Sequence, residues 1–334
     1  MVGSAFGRER AVYSPDRSLA WWICGRVDVV SGLLALKFAA HRAPFRVLHG
    51  LTKQGILMSA TNVPVDELIR VTRLAGEAIM AVYHTDFDVD TKSDDSPVTK
   101  ADLAAHEVIA AALAELTPEI PLLSEESVPP PFDVRQGWDR YWLIDPLDGT
   151  KEFINRNDQF TVNIALLEGG EPVFGCVGVP AQDLVYVGDT RSGSAFVEGP
   201  DGRRELSGRP MRDGDGVTVV ASRSHGSERL ERYIAALGER FGGVDREPVG
   251  SSLKLCILAQ GEADLYPRLG LTSEWDIAAA HAVLKAAGGD VWAVGGDAIA
   301  YNKPDTFLNP EFFAVSDARF DWRAELPEPE PKEG

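Results

Sequence analysis

An apolar run that stops on two carboxylates constrains this chain more than any other feature. Tyr141–Ile144 reads as a short strand and leads into Asp145-Pro-Leu-Asp148-Gly-Thr150-Lys-Glu-Phe153. Proline has no N–H for a central ladder, so Pro146 predicts that the strand ends there. Gly149-Thr150 can then open a helix. A strand that delivers Asp145 and Asp148 beside the free amides of a helix start suits hard cations and phosphate. Magnesium takes few carboxylates and keeps water and phosphate oxygens, which fits such a place. Alone, Asp-x-x-Asp-Gly is also an ordinary turn with Asp148 as a helix cap.

Three further acidic segments bear on that choice. Leu123-Ser-Glu125-Glu126-Ser127 follows the apolar run Ile120–Leu123. On extended backbone neighbouring side chains face opposite ways, so Glu125 and Glu126 would not share a site and Glu126 reads as solvated. Trp275-Asp276 precedes a helix, where Asp276 alone reads as an N-cap. Thr99-Lys-Ala-Asp102 resembles a capping box, with Asp102 bonding its own helix start. Each acid has a plain explanation singly, and catalysis becomes preferable when all four segments are taken together.

The periodicity places these segments. Leu68, Val71, Ala75, Ile79 and Val82 form one helical stripe after Asn62 or Asp66. A second helix is expected from about Lys100 to Leu116, with Leu103, Ile109, Leu113 and Leu116 inward. Phe160, Val162, Ile164 and Leu166 alternate with Thr161, Asn163 and Ala165, and Val173–Val179 and Leu184–Val187 continue an antiparallel meander. Later come a strand at Val217–Ala221, a helix at Arg229–Phe241, a mixed stretch at Leu255–Leu265 and a helix at Asp276–Ala287 ended by Gly288-Gly289. Strands in runs, then strands alternating with helices, predict an α+β half followed by an α/β half, joined near residues 195–215.

Charge divides the chain differently. Residues 1–57 carry eight Lys/Arg against three acids, whereas residues 58–334 carry 25 basic and 48 acidic residues. An acidic body repels nucleic-acid polymers and anionic lipid, and binds an anion only with recruited cations. The basic segment 1–57 reads as an over-extended reading frame with Met58 as the start, a targeting segment being the alternative. No apolar stretch is long enough to span a membrane. Cys24, Cys176 and Cys256 are far apart and form no C-x-x-C pair, which argues against a disulfide framework and for a reducing cytoplasm. Pro327–Gly334 alternates Pro with charge and reads as a solvated tail.

Lys92-Ser-Asp94-Asp-Ser96-Pro-Val-Thr99-Lys-Ala-Asp102, Ser124-Glu125-Glu126, Asp145-Pro-Leu-Asp148-Gly-Thr150 and Trp275-Asp276, in this order and spacing, resemble the inositol monophosphatase superfamily of magnesium-dependent, lithium-sensitive phosphatases. The likeness spans residues 64–320 and is strongest to the CysQ-type 3′(2′),5′-bisphosphate nucleotidases. It implies a layered αβαβα sandwich of the inositol monophosphatase/fructose-1,6-bisphosphatase type. The parts are an N-terminal extension (1–57), an α+β subdomain with the metal site (58–197), an α/β subdomain completing it (198–320) and an acidic tail (321–334).

The resemblance also implies roles. Glu125, Asp145, Asp148, Asp276 and the Leu147 carbonyl bind Mg²⁺, two or three ions per site. Asp102 and Thr150 order the attacking water, with Asp94 near a weakly held ion. Gly149, Thr150 and Lys151 hold the scissile phosphate. Arg223, His225, Ser251, Ser252, Lys254 and Asp276 contact the nucleotide, Arg223 and Lys254 being the best candidates for its second phosphate and Arg268 a weaker one. The implied reaction releases phosphate from 3′-phosphoadenosine 5′-phosphate, clearing a by-product of sulfate assimilation, and the 5′-phosphosulfate is a second substrate. An inositol or other sugar monophosphatase is the competing reading. Peripheral association with the inner membrane and a homodimer both stay open.

Overall fold

Leu68, Val71, Ala75 and Ile79 are all fully buried, which makes the first expected stripe the inner face of helix α1 (Val65–Tyr83) in a computed structural model of the chain. The structure describes residues 62–85, 97–221 and 227–331. Segment 1–57, the Lys92–Ser96 part of the first motif, Asp94, Arg223 and His225 lie outside the described residues.

Helix α2 (Pro97–Leu116) starts earlier than Lys100, because proline suits a first helical turn, where N–H groups have no partner. Its inner face is Ala101, Ala105, Ile109, Ala112 and Leu113; Leu103, expected inward, is 42% exposed. At 100° per residue Leu103 lies roughly 200° round from Ala101, on the solvent side.

A seven-stranded sheet follows, ordered β1 to β7: β1 (Leu122–Ser124), β2 (Arg140–Asp148), β3 (Thr161–Glu168), β4 (Glu171–Val179), β5 (Leu184–Asp189), β6 (Ser194–Gly199) and β7 (Gly202–Glu205). β1 pairs parallel with β2, and every later pair is antiparallel. Pro146 does not end β2 as expected. The strand runs through it, and the register against β3 shifts between Asp145 and Asp148. The missing N–H falls where the ladder is already interrupted, so it costs no bond.

The second sheet has the order β11-β12-β10-β8-β9. Its strands are β8 (Val217–Ala221), β9 (Val244–Pro248), β10 (Leu265–Arg268), β11 (Asp290–Ala293) and β12 (Phe312–Val315). The longer helices of this half are α5 (Glu228–Phe241), α6 (Leu253–Ala259) and α7 (Glu274–Ala286), and a last turn α8 covers Trp322–Glu325. The mixed stretch 255–265 resolves into the end of α6 and the first residue of β10.

Three apolar cores give the layering. One joins α1 and α2 to one face of the first sheet through Ile144, Val162 and Ile164. A second sets α6 and α7 between the sheets, with Leu143 and Ala165 on one side and Val220, Tyr266 and Phe312 on the other. A third packs Leu230, Ile234 and Trp322 on the outer face of the second sheet. The order is therefore helix, sheet, helix, sheet, helix, an αβαβα sandwich. The expected solvated tail is docked as far as Glu330, whose carbonyl accepts from Arg229 Nε at 2.6 Å.

α7 lies unusually close to the first sheet. A Cβ on Gly175 of β4 would sit 2.0 Å from the Ala279 carbonyl oxygen, and one on Gly188 of β5 2.4 Å from the Val283 Cα. Only glycine permits that approach.

Candidate active site

The acids come from the first sheet and from the helical layer packed against it. β1 ends at Ser124, β2 delivers Asp145 and Asp148, and the first turn of α7 delivers Asp276. One carboxylate oxygen each from Glu125, Asp145 and Asp276 lies within 4.8 Å of the other two. Asp145 is 1% exposed, and its Oδ1 accepts from the Leu147 N–H at 3.1 Å. Leu147 buries its side chain in the core that α1 and α2 form on the first sheet. Asp148 stands beside the triangle, its Oδ2 taken by the Ser252 N–H at 2.6 Å.

Three plain explanations for these acids give way. Asp276 is not the N-cap of α7; Ser273 is, and Asp276 Oδ2 reaches back from the third helical position to accept its N–H at 2.9 Å. Asp102 is past the first turn of α2, since that helix begins at Pro97, and its Oδ1 is buried with no hydrogen-bond partner among the described residues. Glu126 is half-buried, and its charge lies close enough to Asp102 to help raise that carboxyl's pKa. The alternation rule fails for it because the chain turns directly after β1, Ser127 N–H returning to the Ser124 carbonyl at 3.3 Å. The Ser124 hydroxyl also meets His106 Nδ1 at 2.9 Å, tying that turn to α2.

So many acids cannot all ionise in one place. Burial first, then Glu126 and Glu125, pushes Asp102 up to about 9. Burial and Asp148 push Glu125 up to about 7; although the residue is exposed, its carboxyl end turns in among the others. Asp145 rises well above the usual carboxylate range by burial and by Asp148 and Glu125. Burial and Asp276 raise Asp148 to about 7, against the pull of Lys254 and the Ser252 amide. Asp276 rises to about 6, chiefly through burial.

The set fits hard divalent cations. Its donors are all oxygens, its acids outnumber the cations beside them, and it holds one buried oxygen with no partner among the described residues. Glu125, Asp145 and Asp276 could hold an ion together, with Asp148 beside them.

Next to the acids, a recess of about 160 Å³ is lined by Asp148, Glu152, Ser251, Lys254, Arg268 and Asp276, among others. Lys254 is 6% exposed, donates to the Ser251 carbonyl at 3.0 Å and faces the Tyr266 ring at 5.7 Å. Burial lowers its pKa to about 8 against the opposing pull of Asp148. Arg268 donates to the Leu271 carbonyl at 2.6 Å. Gly149, at φ 96, caps the short helix α4 (Thr150–Ile154). Thr150 and Lys151 at its start are exposed.

The Gly250–Ser252 loop meets this machinery from the other side. Gly250 is glycine because a Cβ there would lie 2.3 Å from Glu152 Cγ. The Gly250 N–H donates to Gln159 Oε1 at 2.9 Å, and Ser251 Oγ donates to the Gln159 carbonyl at 2.6 Å. Ser252 also lines the recess but is 3% exposed, and its hydroxyl is spent on Asn163 and Thr161. Gln159, Thr161, Asn163 and Glu152 escaped the sequence reading. The available signal was Thr161 and Asn163 in a strand that is otherwise apolar on both faces as far as Leu167, since buried polar groups need partners.

Known proteins match this arrangement. The sequence pattern of the Inositol monophosphatase family matches residues 62–323. A 3′(2′),5′-bisphosphate nucleotidase CysQ from Escherichia coli K12 is 47% identical over 250 residues, covering 74% of this chain and 98% of that protein. The protein of the same name from Haemophilus influenzae is 34% identical over 266 residues, covering 78% and 95%. The crystal structure of CysQ from Bacteroides thetaiotaomicron, a bacterial member of the inositol monophosphatase family, superposes with a TM-score of 0.68 at 39% identity, covering 75% of this chain and 97% of that one. With the layered fold, the clustered acids and these relatives together, the chain belongs to the inositol monophosphatase family.

Proposed function

We propose that this protein is a magnesium-dependent 3′(2′),5′-bisphosphate nucleotidase that hydrolyses 3′-phosphoadenosine 5′-phosphate to AMP and phosphate, and accepts the 5′-phosphosulfate. The carrying observation is the junction of the acid triangle with a recess bearing Lys254 and Arg268. A monoester needs the first, and a second anionic group on the same substrate needs the second. Relatives named as nucleotidases at 47–48% identity support the same reading.

Glu125, Asp145, Asp148, Asp276 and the Leu147 carbonyl hold the ions. When bound, divalent cations make water more acidic and offset charge on phosphoryl oxygens. Asp102, whose buried Oδ1 has no partner among the described residues, orients the attacking water together with Thr150. Gly149 and Thr150 amides and Lys151 hold the scissile phosphate. Lys254, with Arg223 and Arg268, holds the distal one, while Ser251 and His225 border the base and sugar. Asp94 attends a weakly held ion. No side-chain nucleophile is used, so no covalent intermediate forms.

The same proposal divides the body at residues 197/198, so that each subdomain contributes acids. It places the enzyme in a reducing cytoplasm, where the buried free Cys176 and Cys256 stay unpaired. No helix among the described residues is long and apolar enough to cross a membrane.

Phosphate release from 3′-phosphoadenosine 5′-phosphate and from inositol 1-phosphate, measured side by side with Mg²⁺, tests the reading. A preference for the nucleotide supports it, and a preference for inositol phosphate rejects it in favour of a sugar monophosphatase.

A further inference from the structure

Gln159, Thr161 and Asn163 are alternate residues at the entry to β3, and all three point polar atoms at the Gly250–Ser252 loop. Phe160, Val162 and Ile164, between and after them, fill the core under α1 and α2 instead. Asn163 is the innermost, 1% exposed, and stands directly opposite Asp145 in the β2–β3 register. Its Oδ1 accepts the Ser252 hydroxyl at 2.7 Å. A serine has one hydroxyl proton, so at the 2.9 Å contact with Thr161 the threonine must be the donor. Both sides of the Ser252 hydroxyl are thereby fixed. The backbone N–H of the same residue grips Asp148 Oδ2 at 2.6 Å. Asn163 Nδ2, buried, has no partner among the described residues.

The geometry points to Asn163 as a positioning residue that acts through Ser252 on Asp148. It is not among the residues that line the recess. It locks the serine so that the amide stays aimed at one carboxylate oxygen, leaving the other oxygen free for an ion. It also pins the start of α6, and with it Lys254, to the strand next to Asp145. Without this lock Asp148 can turn among its repelling neighbours, and the site must be reassembled each time a cation binds. Partners of this kind, one step behind the ligands, change metal affinity by about 10–100-fold when removed.

This inference rests on Asp148 being a metal ligand, so the test reads metal binding itself. Mg²⁺ and Mn²⁺ uptake by the full chain is measured by calorimetry for wild type, Asn163→Leu, Ser252→Ala and the double variant, with circular dichroism to verify folding. Each single variant is expected to bind metal at least about tenfold more weakly. The double variant should lose no more than the worse single one, because both break one relay. The metal activation constant should rise by the same factor. Val162→Ala, on the opposite face of β3, should lose thermal stability but keep its metal affinity. Ser252→Ala removes a single oxygen and remains decisive should Asn163→Leu not fold. Wild-type affinity in either folded single variant, or losses that simply add, overturns the relay. A wild-type protein that takes up no metal rejects the proposed function and the relay together, whereas normal wild-type uptake with unaffected variants rejects the relay alone.

Discussion

Asp145 is the residue on which the chemistry turns most sharply. It is buried, faces Glu125 and Asp276, and its Oδ1 accepts the Leu147 amide. Asp145→Asn keeps the shape and removes the charge, and steady-state phosphate release should fall by at least about a hundredfold, the upper end of what weaker second-rank changes do. The raised carboxyl pKa values also have a stability consequence. In the unfolded chain these acids have lost their protons by about pH 5. The metal-free folded protein keeps some of them until about pH 6 to 9, the range spanned by Asp276, Glu125, Asp148 and Asp102. Folding therefore takes up protons, and stability fully present below the unfolded carboxyl pKa of about 4 is lost as pH rises through that window. Melting curves in EDTA should show this decline, and added Mg²⁺ should raise the Tm more at pH 8 than at pH 5.5. His281 works in the opposite direction. Burial lowers it to about 3, so it costs stability progressively below its unfolded pKa near 6.5, and His281→Phe should flatten the acid limb.

Among the elements, α7 has the narrowest tolerance. It carries Asp276 in its first turn and lies on Gly175 and Gly188, where any side chain would strike its backbone. Gly175→Val should cost about 1–3 kcal/mol or more in denaturant melts, as overpacking does, and should weaken Mg²⁺ binding by moving Asp276. The elements with clean periodicity were legible in the sequence: the α1 stripe, the β3 alternation, and α5 and α7 to within two residues. The misreadings have physical causes. Pro146 was read as a stop because ladder continuity is local knowledge, whereas a register shift is a property of two strands. Leu103 was assigned inward because α2 uses alanines for its close face, and alanine is a weak apolar signal. β6, β7 and β9 are short and polar enough to pass for loop, and pairing with a neighbour, not composition, makes them strands. In the site, Asp145, Glu125 and Asp276 could be singled out because carboxylates at strand ends and helix starts are visible in sequence. Asn163 and Glu126 could not, since their partners are contributed by distant chain or by a turn.

For the molecule as a whole, the middle layer explains why one acidic chain can handle an anionic substrate. Both sheets bury their facing sides on α6 and α7, and that same layer brings Lys254 and Asp276 to the acids of the first sheet. The net charge of −18 gives the substrate no long-range welcome, so catalysis should depend steeply on divalent cation. Lithium should inhibit by competing for that requirement, read as inhibition that eases with added Mg²⁺. The central claim is that the gathered carboxylates grip cations against a phosphoryl group of a bisphosphorylated nucleotide. It is tested most directly by phosphate release from 3′-phosphoadenosine 5′-phosphate, with Mg²⁺ and with EDTA, for wild type and Asp145→Asn. The account predicts turnover only in wild type with Mg²⁺; turnover that survives EDTA or the substitution unchanged would contradict it.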